Sequence, residues 1–359
     1  MLDTTGILGS LEGLLARAEG GSRRLVSVTA ETELADPAAA AFASRLAGDR
    51  WFTWEQPDRD GFALAGLGAA HEAVSRGDGR FADLTSECAV IARGRIADEP
   101  DGLPAGAGPV WTGGFAFAGD GASAAHWSSF PPALLVLPEL SLLRVSGRCW
   151  LTLSAVAGAG VEAAEARERL GARLASLRER ELPLLDPHPR GATSIVSVTP
   201  PGRYEASVAA ATARIAAGEL EKVALAREVA VQAPAAHDPA ATFGALRSAF
   251  ESCFCFCVGS PEGAFLGASP ELLIRRRGAG AATVALAGST RRSADPAVDD
   301  HLGEQLLRSA KNRSEHEIVA RRIERALAPR SVWVEIESEP SLVKVANIQH
   351  LATPVHAQL

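Results

Sequence analysis

Lysine is nearly missing from this chain. Of the 36 basic residues among 359, 33 are arginine and three are lysine, namely Lys222, Lys311 and Lys344. Either cation serves on a solvated surface, so the exceptions point to places that need a compact ammonium able to lose its proton, which arginine cannot supply. Chance is an equal account of Lys311 and Lys344. Apolar runs of the ~18 residues needed to span a bilayer are missing too. The opening MLDTTGILGSLEGLL is acidic where a secretion signal is basic, so the expected location is cytoplasmic, with no membrane contact. A net charge of −7 leaves no clustered positive field, which excludes a nucleic-acid surface. No GxGxxG, P-loop or fixed-period repeat is present, so the common nucleotide cradles and repeat architectures are also excluded. The five cysteines are an odd number without secretory context, which argues against a disulfide framework. Three of them, Cys253, Cys255 and Cys257, alternate with phenylalanine and share one face of a strand. Side chains on one flat strand point parallel, whereas a tetrahedral ion needs them to converge, so these are read as small buried hydrophobes.

What remains is an ordinary globular composition, with 47% hydrophobic and 22% charged residues, long enough for two domains or one large one. The first half reads as strands at LVSVTA, WFTWEQ, FALAGLG, PVWTGGFAF, PALLVLPEL and CWLTLSAV, interrupted by a helix at 82–95 and followed by an amphipathic helix at 161–181. LPLLDPHPRGATS, with three prolines, reads as a connection. Helices are expected at 203–217, 239–252, 298–309 and 312–327. Strands are expected at 221–231, CFCFCVGS, GAFLGAS, ELLIRR, TVALAG, SVWVEIES and SLVKVANIQ. Helices and strands come in runs without strict alternation, so an α+β fold with large antiparallel sheets fits better than a parallel doubly wound one.

Several residues sit oddly for a plain core. In the expected strand 221–231, Val223, Leu225, Val229 and Val231 share a bulky face, while Lys222 shares the other with Ala224 and Ala226. The alanine face leaves room for a ligand beside a functional lysine, and a solvated edge with a snorkelling lysine is the alternative. Glu315 lies on the apolar stripe of its helix with Ile318, Val319 and Ile323. An inward carboxylate needs a partner, either a hard cation such as Mg²⁺ or an arginine. Glu271 follows Ser269 and Pro270 and is placed at a sheet end. Gly288 offers backbone N–H groups to an anion, and His350 lies between apolar residues.

Taken together, KVALAR from Lys222, FLGASPELL from Phe265, ALAGSTRR from Ala285, LLRSAKNRSEHEIV from Leu306 and QHLATP from Gln349 resemble the chorismate-utilising enzymes. These are the isochorismate, salicylate, anthranilate and aminodeoxychorismate synthases, and the likeness runs from about Tyr204 to Pro354. It implies the anthranilate/aminodeoxychorismate synthase-like fold, two stacked antiparallel sheets flanked by helices. Residues 1–190 would form the variable N-terminal part and residues 195–359 the chorismate-binding catalytic part. Lys222, where ammonia-using members carry glutamine, and Ser289, where other members carry threonine, favour an isochorismate synthase. QHL leans to the menaquinone type over the siderophore type. The resemblance further implies Lys222 as the base that activates water, Glu271 as the general acid, Glu315 as a Mg²⁺ ligand, and Gly288, Ser289 and His350 at the substrate, with no amidotransferase subunit. Burial would suit both titrating roles, since it lowers a lysine pKa and raises a glutamate pKa. Family members continue past the point where this sequence stops, through a segment bearing a second metal-binding glutamate. The reading from sequence is therefore a C-terminally truncated isochorismate synthase, with a salicylate synthase or a non-catalytic remnant as alternatives.

Overall fold

Leucines at helical spacing bury one side of α1 (Thr4–Ala18) against the first strand, β1 (Arg24–Thr32), in a computed structural model that describes residues 4–158, 160, 162–186 and 191–359. Asp36 caps α2 (Pro37–Ser44) by accepting the Ala39 N–H, and Pro37 presets its first turn. Then come β2 (Trp51–Gln56), β3 (Phe62–Leu67), β4 (His71–Ser75), α3 (Arg80–Ala92), β5 (Ile96–Asp98), β6 (Thr112–Phe115), β7 (Ala133–Leu137), β8 (Leu140–Val145), β9 (Arg148–Ala157) and α4 (Ala163–Ser176). The next three elements are β10 (Ser194–Ser197), α5 (Pro201–Ala216) and β11 (Val229–Gln232). After α6 (Pro239–Ala249), β12 (Phe254–Gly259) and β13 (Ala264–Ser269), the chain closes with β14 (Arg275–Arg277), β15 (Gly280–Arg291), α7 (Pro296–Arg308), α8 (Ala310–Leu327), β16 (Trp333–Ile336), β17 (Ser341–Lys344) and β18 (Ile348–Gln358).

These elements sort into two compact units. One comprises Met1–Leu185 and Pro239–Ala268, the other Asp186–Asp238 and Ser269–Leu359. The first unit is built on an eight-stranded sheet in the order β13-β12-β2-β3-β8-β9-β1-β5 and a three-stranded sheet β4-β7-β6. The large sheet is antiparallel from β12 to β1, and β5 joins its edge in parallel. β9 runs through its middle and buries nine successive residues after Arg148, a pattern that requires cover on both faces. A buried ion cluster fastens α4 to the unit: Arg173 donates twice to Asp49 at 2.7 Å and also to Glu139. Cys253, Cys255 and Cys257 are buried free thiols, as the alternation with phenylalanine indicated.

The second unit carries the antiparallel sheet β14-β15-β18-β16, with β17 also on β18, and a separate β10–β11 pair. Ser309 ends α7 and begins α8, accepting the Asn312 N–H, which is why one residue separates the two helices. α8 lies on β15 and β18. Among the described residues no helix is long and apolar enough to cross a membrane.

Helices and antiparallel sheets appear in runs, so the α+β expectation holds. Two expected strands do not. Residues 222–228 belong to no strand, and only Val229–Gln232 joins a ladder. The bulky face expected in the core, Val223, Leu225, Val229 and Val231, is exposed, because β11 pairs with β10 alone and neither packs into a larger sheet. Residues 271–274 of the expected strand ELLIRR are likewise not a strand: the ladder beside β15 starts at Arg275. α1 and α2 lie in stretches where no helix was expected, since alanine-rich Pro37–Ser44 has almost no periodic contrast. Val161 and residues 187–190 of the proline-rich connection lie outside the described residues.

Candidate active site

β15 and β18 pair in regular register until Leu286 meets Ala352, and pairing resumes with Ser289 opposite His350. Ala287 and Gly288 therefore face Leu351 alone, which makes a β-bulge. Gly288 has φ +78°, a conformation that L-residues with a side chain rarely adopt. A Cβ there would also stand 3.1 Å from Asn312 Cβ and 3.3 Å from Leu351 Cδ1, so backbone and space both call for glycine. Just past the bulge, Ser289 Oγ and His350 Nδ1 share a hydrogen bond of 2.7 Å. Burial holds the His350 pKa below its ordinary value, which favours a neutral ring.

α8 crosses this bulge, and its one buried residue is His316. The His316 ring reaches the Ala287 carbonyl through Nδ1 at 3.2 Å and Thr353 Oγ1 through Nε2 at 2.7 Å. Burial is the main cause that lowers the His316 pKa, and the nearby Lys222 and Arg313 charges push the same way. Glu315, one residue earlier, does not point into a core. Its side chain is 40% exposed, and its Oε1 accepts from Lys222 Nζ at 3.0 Å. The apolar stripe inferred from spacing is thus only half-buried, which corrects the expectation of an inward carboxylate; the cation that meets it here is the lysine itself.

The structure thus joins four of the six expected site residues in two pairs, Lys222 with Glu315 and Ser289 with His350, and places Gly288, next to Ser289 in the chain, against Asn312 of α8. Glu271 is exposed; its N–H donates to Ser269 Oγ at 3.3 Å, and among the described residues no hydrogen bond or ion pair links it to the other five. Lys344 has a structural place: it donates to Asp299 at 3.0 Å and to Asp300 at 2.9 Å. Asp299 also accepts from Arg292 and the Ser293 N–H, and these partners hold its carboxyl well below the usual range, Arg292 foremost.

A bulge glycine, its serine–histidine pair and a half-buried helix glutamate on a lysine are the same residues that carry the sequence motifs, and comparison with known proteins gives the family. The profile described as chorismate binding enzyme matches residues 12–359. The chain belongs to the chorismate-binding enzymes. It is 32% identical to the salicylate biosynthesis isochorismate synthase of Pseudomonas aeruginosa, across 98% of this chain and 73% of that protein. To the isochorismate synthase MenF of Bacillus subtilis it is 27% identical, across 93% of this chain and 71% of the relative. Among solved structures, the menaquinone-specific isochorismate synthase MenF from Escherichia coli superposes with a TM-score of 0.76 at 23% identity, covering 99% of this chain and 76% of that one. That likeness shows the fold.

In this chorismate-binding enzyme the fit of Glu315 to a metal can be judged from its surroundings. Among the described residues no group of three or more His, Cys, Asp or Glu side chains is placed to hold an ion. Glu315, however, is reached by solvent and already carries a cationic group at 3.0 Å. A single carboxylate fits Mg²⁺ where substrate oxygens and water complete the shell. His316, Asn312 and Thr353 were not singled out from sequence, although all three lie inside quoted motifs. A histidine among charged residues on a helix carries no signal of which way it faces.

Proposed function

We propose that this chorismate-binding enzyme is an isochorismate synthase: it adds water at ring carbon two of chorismate and expels the hydroxyl from ring carbon four. The observation that carries this reading is Lys222. It stands at the position of the water-activating base, in a chain 32% identical over nearly its whole length to a protein named as an isochorismate synthase. Residues 195–359 supply the catalytic groups, and the first 190 residues form the variable part.

Lys222 takes a proton from water, whose oxygen bonds to carbon two. The two ring double bonds each shift by one position, the bond from carbon four to its hydroxyl breaks, and Glu271 protonates the departing oxygen so that water leaves. The base is restored when Lys222 returns its proton to solvent and Glu271 regains one. Gly288 and Ser289 line the ring, and His350, held by Ser289, approaches it. Glu315 is the residue that would hold Mg²⁺, and the ion, when bound, neutralises the substrate carboxylate that an acidic protein repels. Water is the nucleophile, so no amidotransferase partner is required.

The test is incubation of the purified chain with chorismate and MgCl₂, followed by chromatography. Isochorismate alone is the expected product. Salicylate with pyruvate would assign a salicylate synthase, and no product at all would assign a non-catalytic member of the family.

A further inference from the structure

Ala287 lies in the bulge, where two residues of β15 face one of β18, and its carbonyl meets the His316 ring. A carbonyl oxygen only accepts, so Nδ1 carries the proton. Nε2 of the neutral ring then accepts from the Thr353 hydroxyl, itself 3% exposed. Both ring nitrogens are used, which leaves the imidazole one orientation. Through it α8 is fixed to β15 and β18 at a single buried point. That point lies one residue from Glu315 on the helix and one residue from Gly288 on the strand. No other side chain of α8 is buried, so nothing else of comparable burial sets the height of the helix over the bulge.

We propose that His316 is a positioning residue for the reaction: its ring, held by Ala287 and Thr353, sets the Glu315 carboxylate and the Gly288–Ser289 turn in register with one another. The inference rests on the roles given above to Glu315, Gly288 and Ser289. It adds that a single hydrogen-bonded histidine couples them, so the metal-holding and ring-lining parts of the site shift together when it is lost. Groups that orient a ligand residue from behind commonly govern affinity as strongly as contacts to the ligand itself.

Three variants of the full chain and one spectrum test this. His316→Phe keeps the ring volume and removes both hydrogen bonds. It is expected to lower kcat about 100-fold, as small misplacements of reacting groups do. It should also weaken Mg²⁺ about tenfold by calorimetry without substrate. His316→Asn keeps a donor toward the Ala287 carbonyl and should recover most of both losses. Thr353→Val removes one support of the ring and should give a smaller loss in the same direction; it also serves if His316→Phe does not fold. A purely structural histidine would lower the melting midpoint and leave kcat, KM and Mg²⁺ affinity of the folded variants at wild-type values, which overturns the proposal. Nitrogen-15 spectra of the wild-type chain should show His316 as the Nδ1–H tautomer, and the Nε2–H tautomer overturns it as well. A wild-type chain that makes no isochorismate refutes the function and takes the positioning role with it. An active wild type with unaltered variants refutes the positioning role alone.

Discussion

Lys222 Nζ lies 3.0 Å from Glu315 Oε1, so the residue assigned as base and the residue assigned to the metal neutralise each other when neither water nor ion is engaged. The lysine nitrogen is thus engaged by the carboxylate, and a carboxylate held this way must release it before it can grip Mg²⁺. Lys222→Met is therefore expected to abolish turnover while binding Mg²⁺ more tightly than wild type, and Glu315→Gln to lose both. Lys222→Arg keeps the charge and should also be inactive, because guanidinium does not deprotonate near neutral pH. Calorimetry with MgCl₂ and a chorismate assay on the same samples check all three. Weaker Mg²⁺ binding by Lys222→Met would sink the competition.

Gly288→Ala should be damaging twice over. Its backbone needs φ +78°, and the added methyl meets Asn312 and Leu351 at 3.1 and 3.3 Å. A side chain forced into that region costs on the order of 1–3 kcal/mol. Urea unfolding should show a loss of that size together with loss of turnover. A variant of wild-type stability would show that the bulge relaxes freely.

Buried His316 and half-buried His350 make stability depend on pH with one sign. Both folded pKa values lie below the ordinary 6.5, chiefly through burial. Protons then bind the unfolded chain first. Their stabilising contribution is complete above about pH 6.5 and is lost as pH falls through the lower folded values. Asp299, lowered by Arg292, Ser293 and Lys344, has the same sign in a more acid window: its contribution is full above 3.8 and disappears well below it. Urea midpoints measured at pH 7 and pH 5 should fall on acidification. His350→Phe should flatten that dependence, and an unchanged slope would contradict it.

Burial pushes the thiols of Cys149, Cys255 and Cys257 up to about 12. Cys253 is raised by burial too, and Cys88 is the only half-buried one of the five. With the thiolate as the reactive form, a disulfide reagent at pH 8 should label at most Cys88 quickly in the native chain and all five thiols in guanidinium. Fast labelling of more than one native thiol would be inconsistent with this core.

Arg173→Met should destabilise the first unit by about 3–5 kcal/mol, since it strands the buried Asp49 and Glu139 carboxylates. Glu139 keeps Arg169, so most of the loss falls on Asp49. Chemical denaturation measures it.

The helices expected at 203–217, 298–309 and 312–327 are present as α5, α7 and α8, and the structure shows Asp295 and Ser309 capping the later two. The Ser289–His350 pairing belonged to motifs already quoted, yet which residues oppose each other depends on a bulge that sequence does not count. Residues 222–228 read as a strand because alternation reports only side-chain direction. Whether a ladder forms depends on a neighbour elsewhere in the chain. Glu315 misled for a related reason: spacing gives the side of a helix, whereas solvent access is set by what the rest of the fold places there.

Cys255 on β12 pairs with Glu55 on β2, roughly two hundred residues upstream, while everything from Asp186 to Asp238 belongs to the other unit. A ribosome delivering this chain exposes the open flank of β2 long before its mate is synthesised. Closing that distant ladder carries a large entropic barrier, so the nascent polypeptide passes through a slow, sticky stage in which a chaperone that shields bare strand edges should raise the yield of native protein.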